Sequence, residues 1–272
     1  MSYVIFFVEM ILYTLFAVVA CGLLVGFCER LFVGMLGQGM GRGVVIGTSL
    51  IGTPVHEWSH ALMCVIFGHK IQKIVLWQPC SEDGTLGYVT HSFNTRNVYQ
   101  RLGNLFIGVG PVFGGMGVLL LCMLWGFPQT IHAYFDAVGG MIGAGNGGIG
   151  AILLEGVYMI PHMIEEFSSD AVPVWGRIIA LVVMLSVSLH INLSLSDIKG
   201  ALSAVPLYLL LLVVPTVIIS LIGTDAMTTV RYGLQTFNAT MIALFTIVFV
   251  FVLIQLLLAF VVSVLRRVFG RR

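Results

Sequence analysis

The sequence HEWSH at positions 56–60 contains the residues of this chain that are best suited to chemistry. On a helix, side chains four positions apart lie on one face, so the imidazoles of His56 and His60 could bind a single zinc ion. Glu57, between them, could then act as general base on a zinc-activated water. The motif therefore predicts a hydrolytic zinc site with Glu57 as catalytic residue.

The composition of the chain indicates a membrane protein. Of its 272 residues, 58% are hydrophobic and only 9% are charged, whereas about a quarter of the residues of a soluble domain are charged. Apolar runs of near twenty residues recur, each long enough to cross about 30 Å of hydrocarbon. These runs make the lipid bilayer the expected partner. The sequence contains no basic domain of the kind that binds nucleic acid, so nucleic acid is not expected as a partner.

Hydropathy predicts an all-α polytopic protein with about six transmembrane helices. The predicted spans are residues 3–27, 44–67, 105–127, 174–193, 204–222 and 239–265. A glycine-rich link, residues 28–42, joins the first two. The second span carries HEWSH, so the motif would lie in lipid, where ionisable groups are costly and are kept for a function. Pro54 predicts a kink or a helix start beside His56. The backbone groups that proline leaves unpaired could face a water-filled cavity, or the kink could serve only helix packing.

Charge in the loops predicts the orientation of the chain. With six spans, nine Lys and Arg residues fall on the side of the termini and four on the opposite side. Cytoplasmic loops carry the excess of positive charge, so both termini are predicted to be cytoplasmic. The expected location is a cell membrane, crossed several times, in a bacterium.

The five cysteines form no CxxC pair. Four of them lie in or beside apolar spans, and Cys80 is the candidate for a free thiol. This scattered set is typical of small core residues rather than of a disulfide framework.

Two regions between the spans differ in character. The first begins at Lys70 and ends at Phe93, where alternating apolar residues flank the turn sequence Glu82-Asp83-Gly84 and predict a small β-hairpin. Its edge could accept an extended peptide, or it could be an ordinary surface hairpin. The second region, residues 129–170, is rich in glycine and is predicted to be an interfacial loop or short re-entrant segment.

A catalytic zinc usually takes three protein ligands and leaves one position for water, so a third ligand is needed. Asp197 follows the fourth span and would reach the second span if the second, third and fourth packed together. It could instead cap the next helix, and on chemistry alone it ranks only slightly above His190. Asn192 is a candidate oxyanion donor, with a capping or interhelical hydrogen bond as its alternative role. The other candidate ligands are His162, Glu155, Glu165, Glu166 and Asp170.

Three motifs together resemble the site-2 protease family of intramembrane zinc metalloproteases. The stretch HEWSHALMCVIFGHKI resembles the metal-binding helix of that family, and IGVGPVFG at positions 107–114 resembles its Ala-Gly-Pro motif. Asp197 with Gly200 resembles the motif that supplies the third ligand, although the prolines usual in that motif are absent. The resemblance covers residues 44–203, the expected three-helix metalloprotease core. Residues 1–43 and 204–272 lie outside it, as an N-terminal helix with its link and as two C-terminal helices with a basic tail.

The resemblance implies that zinc is held by His56, His60 and Asp197. It implies cleavage of a transmembrane segment of another protein, often to release a regulator, in regulated intramembrane proteolysis. The hairpin between Lys70 and Phe93 would then hold the unwound substrate as an added strand.

Two other functions fit the same residues. Intramembrane His, Glu and Asp also line ion pathways, so a membrane transporter is one alternative. The absence of a convincing sequence repeat counts against it. The other is a metal-binding membrane protein without protease activity.

Overall fold

The computed structural model describes residues 3–79, 81, 84–144 and 148–269. These residues form nine α-helices and one two-stranded sheet, and a π-helical turn at Leu12–Phe16 joins the first two helices. The strands are β1 (Lys70–Val75) and β2 (Tyr88–Ser92). The helices are α1 (Tyr3–Ile11), α2 (Ala17–Leu36), α3 (Gln38–Ile66), α4 (Val98–Gly126), α5 (Pro128–Gly143), α6 (Ile149–Glu166), α7 (Val174–Ser188), α8 (Leu195–Ile222) and α9 (Thr224–Phe269).

Four helical segments are long and apolar enough to cross a membrane, among the residues that the structure describes. They are Tyr3–Leu36, Val98–Gly126, Leu195–Ile222 and Thr224–Phe269. They correspond to the first, third, fifth and sixth predicted spans and extend beyond them. The predicted second and fourth spans also form helices, α3 and α7, but these are not among the four. The polar residues of HEWSH interrupt the apolar character of α3, and α7 has only 15 residues.

Helix α4 is the centre of the fold, because it packs against α3, α7 and α8. Glycines on α4 permit this packing. A β-carbon on Gly110 would lie 3.2 Å from the carbonyl oxygen of Ser59 on α3, and one on Gly108 would lie 2.8 Å from the β-carbon of Ala201 on α8. Small residues at such crossings allow the backbones of membrane helices to approach closely. The sequence IGVGPVFG thus brings α3 and α8 to the same part of α4.

The glycine-rich link predicted at residues 28–42 is wrong. Helix α2 continues to Leu36, and α3 already begins at Gln38. The only break is Gly37, whose φ of 81° lies in a region that residues with side chains rarely adopt. The other glycines of the link are helical, and Gly41 on α3 packs closely against Val33 on α2.

The interfacial loop predicted at residues 129–170 is also wrong, because α5 and α6 occupy most of this range, while its alternative, a short re-entrant segment, stays a prediction. Helix α6 packs against α5 and α9. Glu166, at the end of α6, accepts hydrogen bonds from the backbone N–H groups of Gln129 (3.1 Å) and Thr130 (3.0 Å) and from the Thr130 hydroxyl (2.7 Å). This buried carboxylate therefore satisfies the free N–H groups at the start of α5.

The predicted β-hairpin is confirmed. Strands β1 and β2 are antiparallel, with Ile71 opposite His91 and Val75 opposite Tyr88, and the register shifts between Ile71 and Lys73. The predicted turn residues Glu82 and Asp83, and the candidate free thiol Cys80, lie outside the described residues. Gly84, with a φ of 77°, follows them.

Candidate metal centre

Helix α3 places His56 and His60 one turn apart, with their Nε2 atoms 3.2 Å from each other. Pro54 lies inside this helix, so it does not start it. Proline supplies no N–H, and one carbonyl of the preceding turn therefore has no helical donor. The two imidazole rings meet edge to face, with centroids 4.9 Å apart.

Backbone carbonyls fix the orientation of both imidazoles. His56 Nδ1 lies 2.8 Å from the carbonyl oxygen of His190, and His60 Nδ1 lies 2.8 Å from that of Ile107. A carbonyl oxygen can only accept, so each Nδ1 carries the proton and each neutral ring keeps a lone pair on Nε2. Both lone pairs therefore point to the same place. Metal-binding histidines usually have this arrangement.

Asp197 lies beside the two histidines. Its Oδ1 is 3.2 Å from His60 Nε2, and its Oδ2 is 3.7 Å from His56 Nε2. The same residue belongs to the capping box of α8, because Oδ2 accepts from the Ser194 N–H at 2.9 Å while its own N–H donates to Ser194 Oγ at 3.1 Å. Ser194 is therefore the N-cap of α8, and Asp197 takes part in the cap as its capping-box partner while its carboxylate faces the histidines.

The donor set fits a zinc ion. Two imidazole lone pairs and a carboxylate face one another, and these ligand atoms lie within 4.8 Å of each other. Such acceptor groups repel unless a proton or a cation lies between them. Two histidines and one carboxylate are a known ligand set of catalytic zinc, which leaves a further position open.

The remaining candidate ligands lie elsewhere or serve other roles. The His190 ring donates from Nδ1 to the Ser186 carbonyl (2.8 Å), and its free Nε2 is not among the ligand atoms that converge on His56, His60 and Asp197. His190 contacts the centre through its backbone carbonyl, which holds the ring of His56. His162 and Glu165 form an exposed pair on α6, with Nδ1 3.6 Å from Oε2. Glu155 lies on the same helix, Glu166 caps α5, and Asp170 follows α6. Asn192, in the segment between α7 and α8, donates to the carboxylate of Glu29 on α2, so its hydrogen bond joins a loop to a helix.

Glu57 lines the cavity on which the three candidate ligands open. The cavity measures about 670 Å³, and His56, His60 and Asp197 form part of its wall. Glu57 is buried, with 6% of its surface exposed. Because Glu57 lines the same cavity as the three candidate ligands, its carboxylate is available to a water molecule there.

The hairpin forms another wall of this cavity. Residues 84–89 and His91 line it. Gly87 lies against α3 so closely that a β-carbon there would come within 2.9 Å of Glu57 Cγ. Burial, together with the neighbouring His69 and His60, lowers the pKa of His91, which is therefore a neutral imidazole near pH 7.

Comparison of the chain with protein-family models, curated proteins and solved structures gave no match. The centre therefore has to be understood from its own geometry. Its three potential ligands come from α3 and α8, and α4 holds both helices in place.

A second group of potential ligands was missed from the sequence. Cys64, His69 and His91 also bring one ligand atom each to within 4.8 Å of one another. Their separation in sequence matches no compact metal motif, and His91 is 22 residues from His69. The predicted hairpin contained the missing signal, because pairing its ends places residue 69 near residue 91.

Proposed function

We propose that this protein is an intramembrane zinc metalloprotease similar to the site-2 protease family, hydrolysing peptide bonds in or near transmembrane segments of other proteins. The observation that carries the proposal is the convergence of His56 Nε2, His60 Nε2 and the Asp197 carboxylate beside Glu57. A structural zinc site is usually closed by four protein ligands, whereas three ligands opening on a cavity are typical of catalytic zinc.

The chain's own residues have distinct roles in this proposal. His56, His60 and Asp197 hold the ion, and the carbonyls of His190 and Ile107 keep both imidazoles in the correct tautomer. Zinc bound there would polarise the scissile carbonyl and make a water molecule more acidic. Glu57 accepts a proton from the attacking water and delivers it to the leaving amine.

The proposed substrate position is along strand β2. This strand lines the cavity and pairs only with β1 among the described residues, so its other edge has free backbone N–H and C=O groups. A peptide bond within a helix is shielded by the helical turns, so the substrate must unwind before it is cleaved. An unwound segment added to β2 would satisfy its own backbone groups and enter the cavity beside Glu57.

The proposal also includes the location of the protein in a membrane. Four helices of this chain can cross a bilayer by length and composition. We place the protein in a bacterial cell membrane, with both termini in the cytoplasm and with α3 and α7 as two further membrane helices. The substrate is then another transmembrane protein.

The test is a comparison of wild type with Glu57→Gln. Each is co-expressed with single-span membrane proteins as candidate substrates, and fragments are detected by immunoblotting. We expect fragments with wild type and a loss of about 100-fold or more in Glu57→Gln, because general acid–base catalysis contributes about 10²–10⁴-fold. The zinc content of the purified variant should remain unchanged, since Glu57 is not a ligand.

Glu165→Gln is the matched control, because Glu165 is an exposed glutamate on α6, with 77% of its side chain accessible. It should cleave like wild type. Cleavage by purified Glu57→Gln at the wild-type rate would overturn the proposal. Metal-ion flux in liposomes, without peptide hydrolysis by the wild type, would overturn it in favour of a transporter.

A further inference from the structure

We propose that Cys64, His69 and His91 form a second metal site, for a transition-metal cation such as Zn²⁺, which fastens the β-hairpin to the end of α3. The site is separate from the His56/His60/Asp197 centre and does not depend on protease activity. Its sulfur and nitrogen atoms lie within 4.8 Å of one another. Zinc bonds of about 2.3 Å to sulfur and about 2.0–2.1 Å to nitrogen can be made by this group after small shifts of the side chains.

The end of helix α3 brings Cys64 and His69 together. The helix stops at Ile66, and Gly68 adopts a positive φ of 68° that reverses the chain. The N–H of His69 then donates to the carbonyl of Cys64 at 2.8 Å. This turn places the imidazole of His69 beside the last helical turn, where the Cys64 thiol is fully buried.

The hairpin register supplies the third ligand. His91 on β2 lies opposite Ile71 on β1, and His69 immediately precedes β1. The two histidines therefore meet at the open end of the hairpin, with their Nδ1 atoms 3.0 Å apart. Residues from the helix end, from the turn and from β2 thus converge at one point.

The tautomer of His69 favours a metal at this point. Its Nε2 lies 2.8 Å from the carbonyl oxygen of Gln100, so Nε2 carries the proton and Nδ1 keeps the lone pair that points towards His91. Stacking on Phe93, with ring centroids 4.9 Å apart, also fixes the ring. His56 and His60 have the same arrangement: a backbone carbonyl accepts a hydrogen bond from one ring nitrogen, and the other nitrogen is left free to bind a metal.

The donor types select the class of cation. A thiolate with two imidazoles is a soft ligand set that suits zinc and other transition metals, whereas Mg²⁺ and Ca²⁺ prefer oxygen ligands. His91 also lines the cavity of the first centre. An ion held by Cys64 and His91 would therefore fix β2 against α3, at the wall where Gly87 contacts Glu57.

Cobalt substitution distinguishes the two sites, because only a thiolate ligand gives a sulfur-to-cobalt charge-transfer band in the near ultraviolet. The purified full-length protein is stripped of metal in detergent and titrated with Co²⁺. We expect two Co²⁺ per chain in wild type, with this band present. Cys64→Ser and His91→Gln should each bind one Co²⁺, and Cys64→Ser should lack the band.

Two control variants separate this inference from the proposed protease centre. His60→Ala should lose one Co²⁺ and keep the band, and Cys122→Ser, which changes a half-buried cysteine on α4, should keep both ions and the band. Circular dichroism and elution volume are compared with wild type to establish that each variant is folded. The second site is disproved if wild type shows no band, if the band survives Cys64→Ser, or if wild type binds a single ion that His60→Ala removes.

Discussion

The backbone oxygen of Asp197 lies 2.6 Å from the point that a β-carbon on Gly108 would occupy. Gly108 directly follows Ile107, whose carbonyl holds the ring of His60. One short stretch of α4 therefore orients a histidine on α3 and leaves room for the first turn of α8. The carboxylate of Asp197 reaches the histidines because α4 has no side chain at this position.

Gly108→Ala should weaken zinc binding at the first centre without removing a ligand. The added methyl group would displace the start of α8 and carry the Asp197 carboxylate away from His60. Changes behind the ligands of a metal site typically cost about 10–100-fold in metal affinity, and we expect an effect in this range. Competition with a chromophoric chelator measures it.

Gly117→Ala is the matched control on the same helix, because a β-carbon there meets no described atom within 4 Å. Its zinc affinity should equal that of wild type. Equal affinities for the Gly108 and Gly117 variants would contradict the idea that close packing of α4 and α8 positions Asp197.

Two features of this centre could be predicted from local sequence: the pair of histidines on one helix face and the hairpin beside it. The spacing of His56 and His60 follows from helical geometry, and the hairpin follows from alternation around a turn. The position of Asp197 was not decided by such rules, since His190 satisfied them almost equally well. It depends on how α4 packs against α3 and α8, which hydropathy does not encode.

The misassigned regions have a similar explanation. Residues 129–170 were expected to be a loop because glycine is a poor helix former. Tertiary contacts override that preference, since Glu166 caps α5 and α6 packs against α9. The second cluster was missed because Cys64 and His91 meet only through the hairpin register.

Gly87→Ala should reduce proteolysis by displacing the start of β2, the strand proposed to hold the substrate. A β-carbon at this position would come within 2.7 Å of Thr53 Cγ2, 2.9 Å of Glu57 Cγ and 2.9 Å of the Val75 carbonyl oxygen. The Val75 oxygen is backbone of β1 and cannot rotate away, and Thr53 and Glu57 belong to α3, so the segment that leads into β2 must shift. We expect a loss of about tenfold or more in the rate of cleavage, since small misplacements of a substrate can cost about 10²-fold.

Fragment yield at matched expression measures this effect, and zinc content is measured in parallel. Zinc at the first centre should stay at the wild-type level, because none of the three contacts is a ligand. Gly139→Ala on α5 serves as the control, since a β-carbon there meets open space among the described atoms. Wild-type cleavage by Gly87→Ala would argue against a role for this contact in positioning the substrate strand.

Glu166→Ala should destabilise the fold and leave the metal centre intact. Its carboxylate accepts from two backbone N–H groups and one hydroxyl at the start of α5, and both Glu166 and Thr130 are buried. Removing it leaves these donors without a partner and also removes a negative charge from the positive end of the helix dipole. Hydrogen bonds to charged groups contribute about 1.5–3 kcal/mol, so we expect a loss of about 2–3 kcal/mol in the free energy of unfolding.

Thermal unfolding in detergent, followed by circular dichroism, measures this loss. Glu165→Ala provides the comparison, because the neighbouring carboxylate is mostly exposed and should change stability by no more than about 0.5 kcal/mol. Glu166 belongs to α6, which packs against α5 and α9, whereas the candidate zinc ligands come from α3 and α8. Zinc content should therefore be unchanged in both variants. A drop in zinc without a drop in stability would assign Glu166 to the metal centre instead of to the cap of α5.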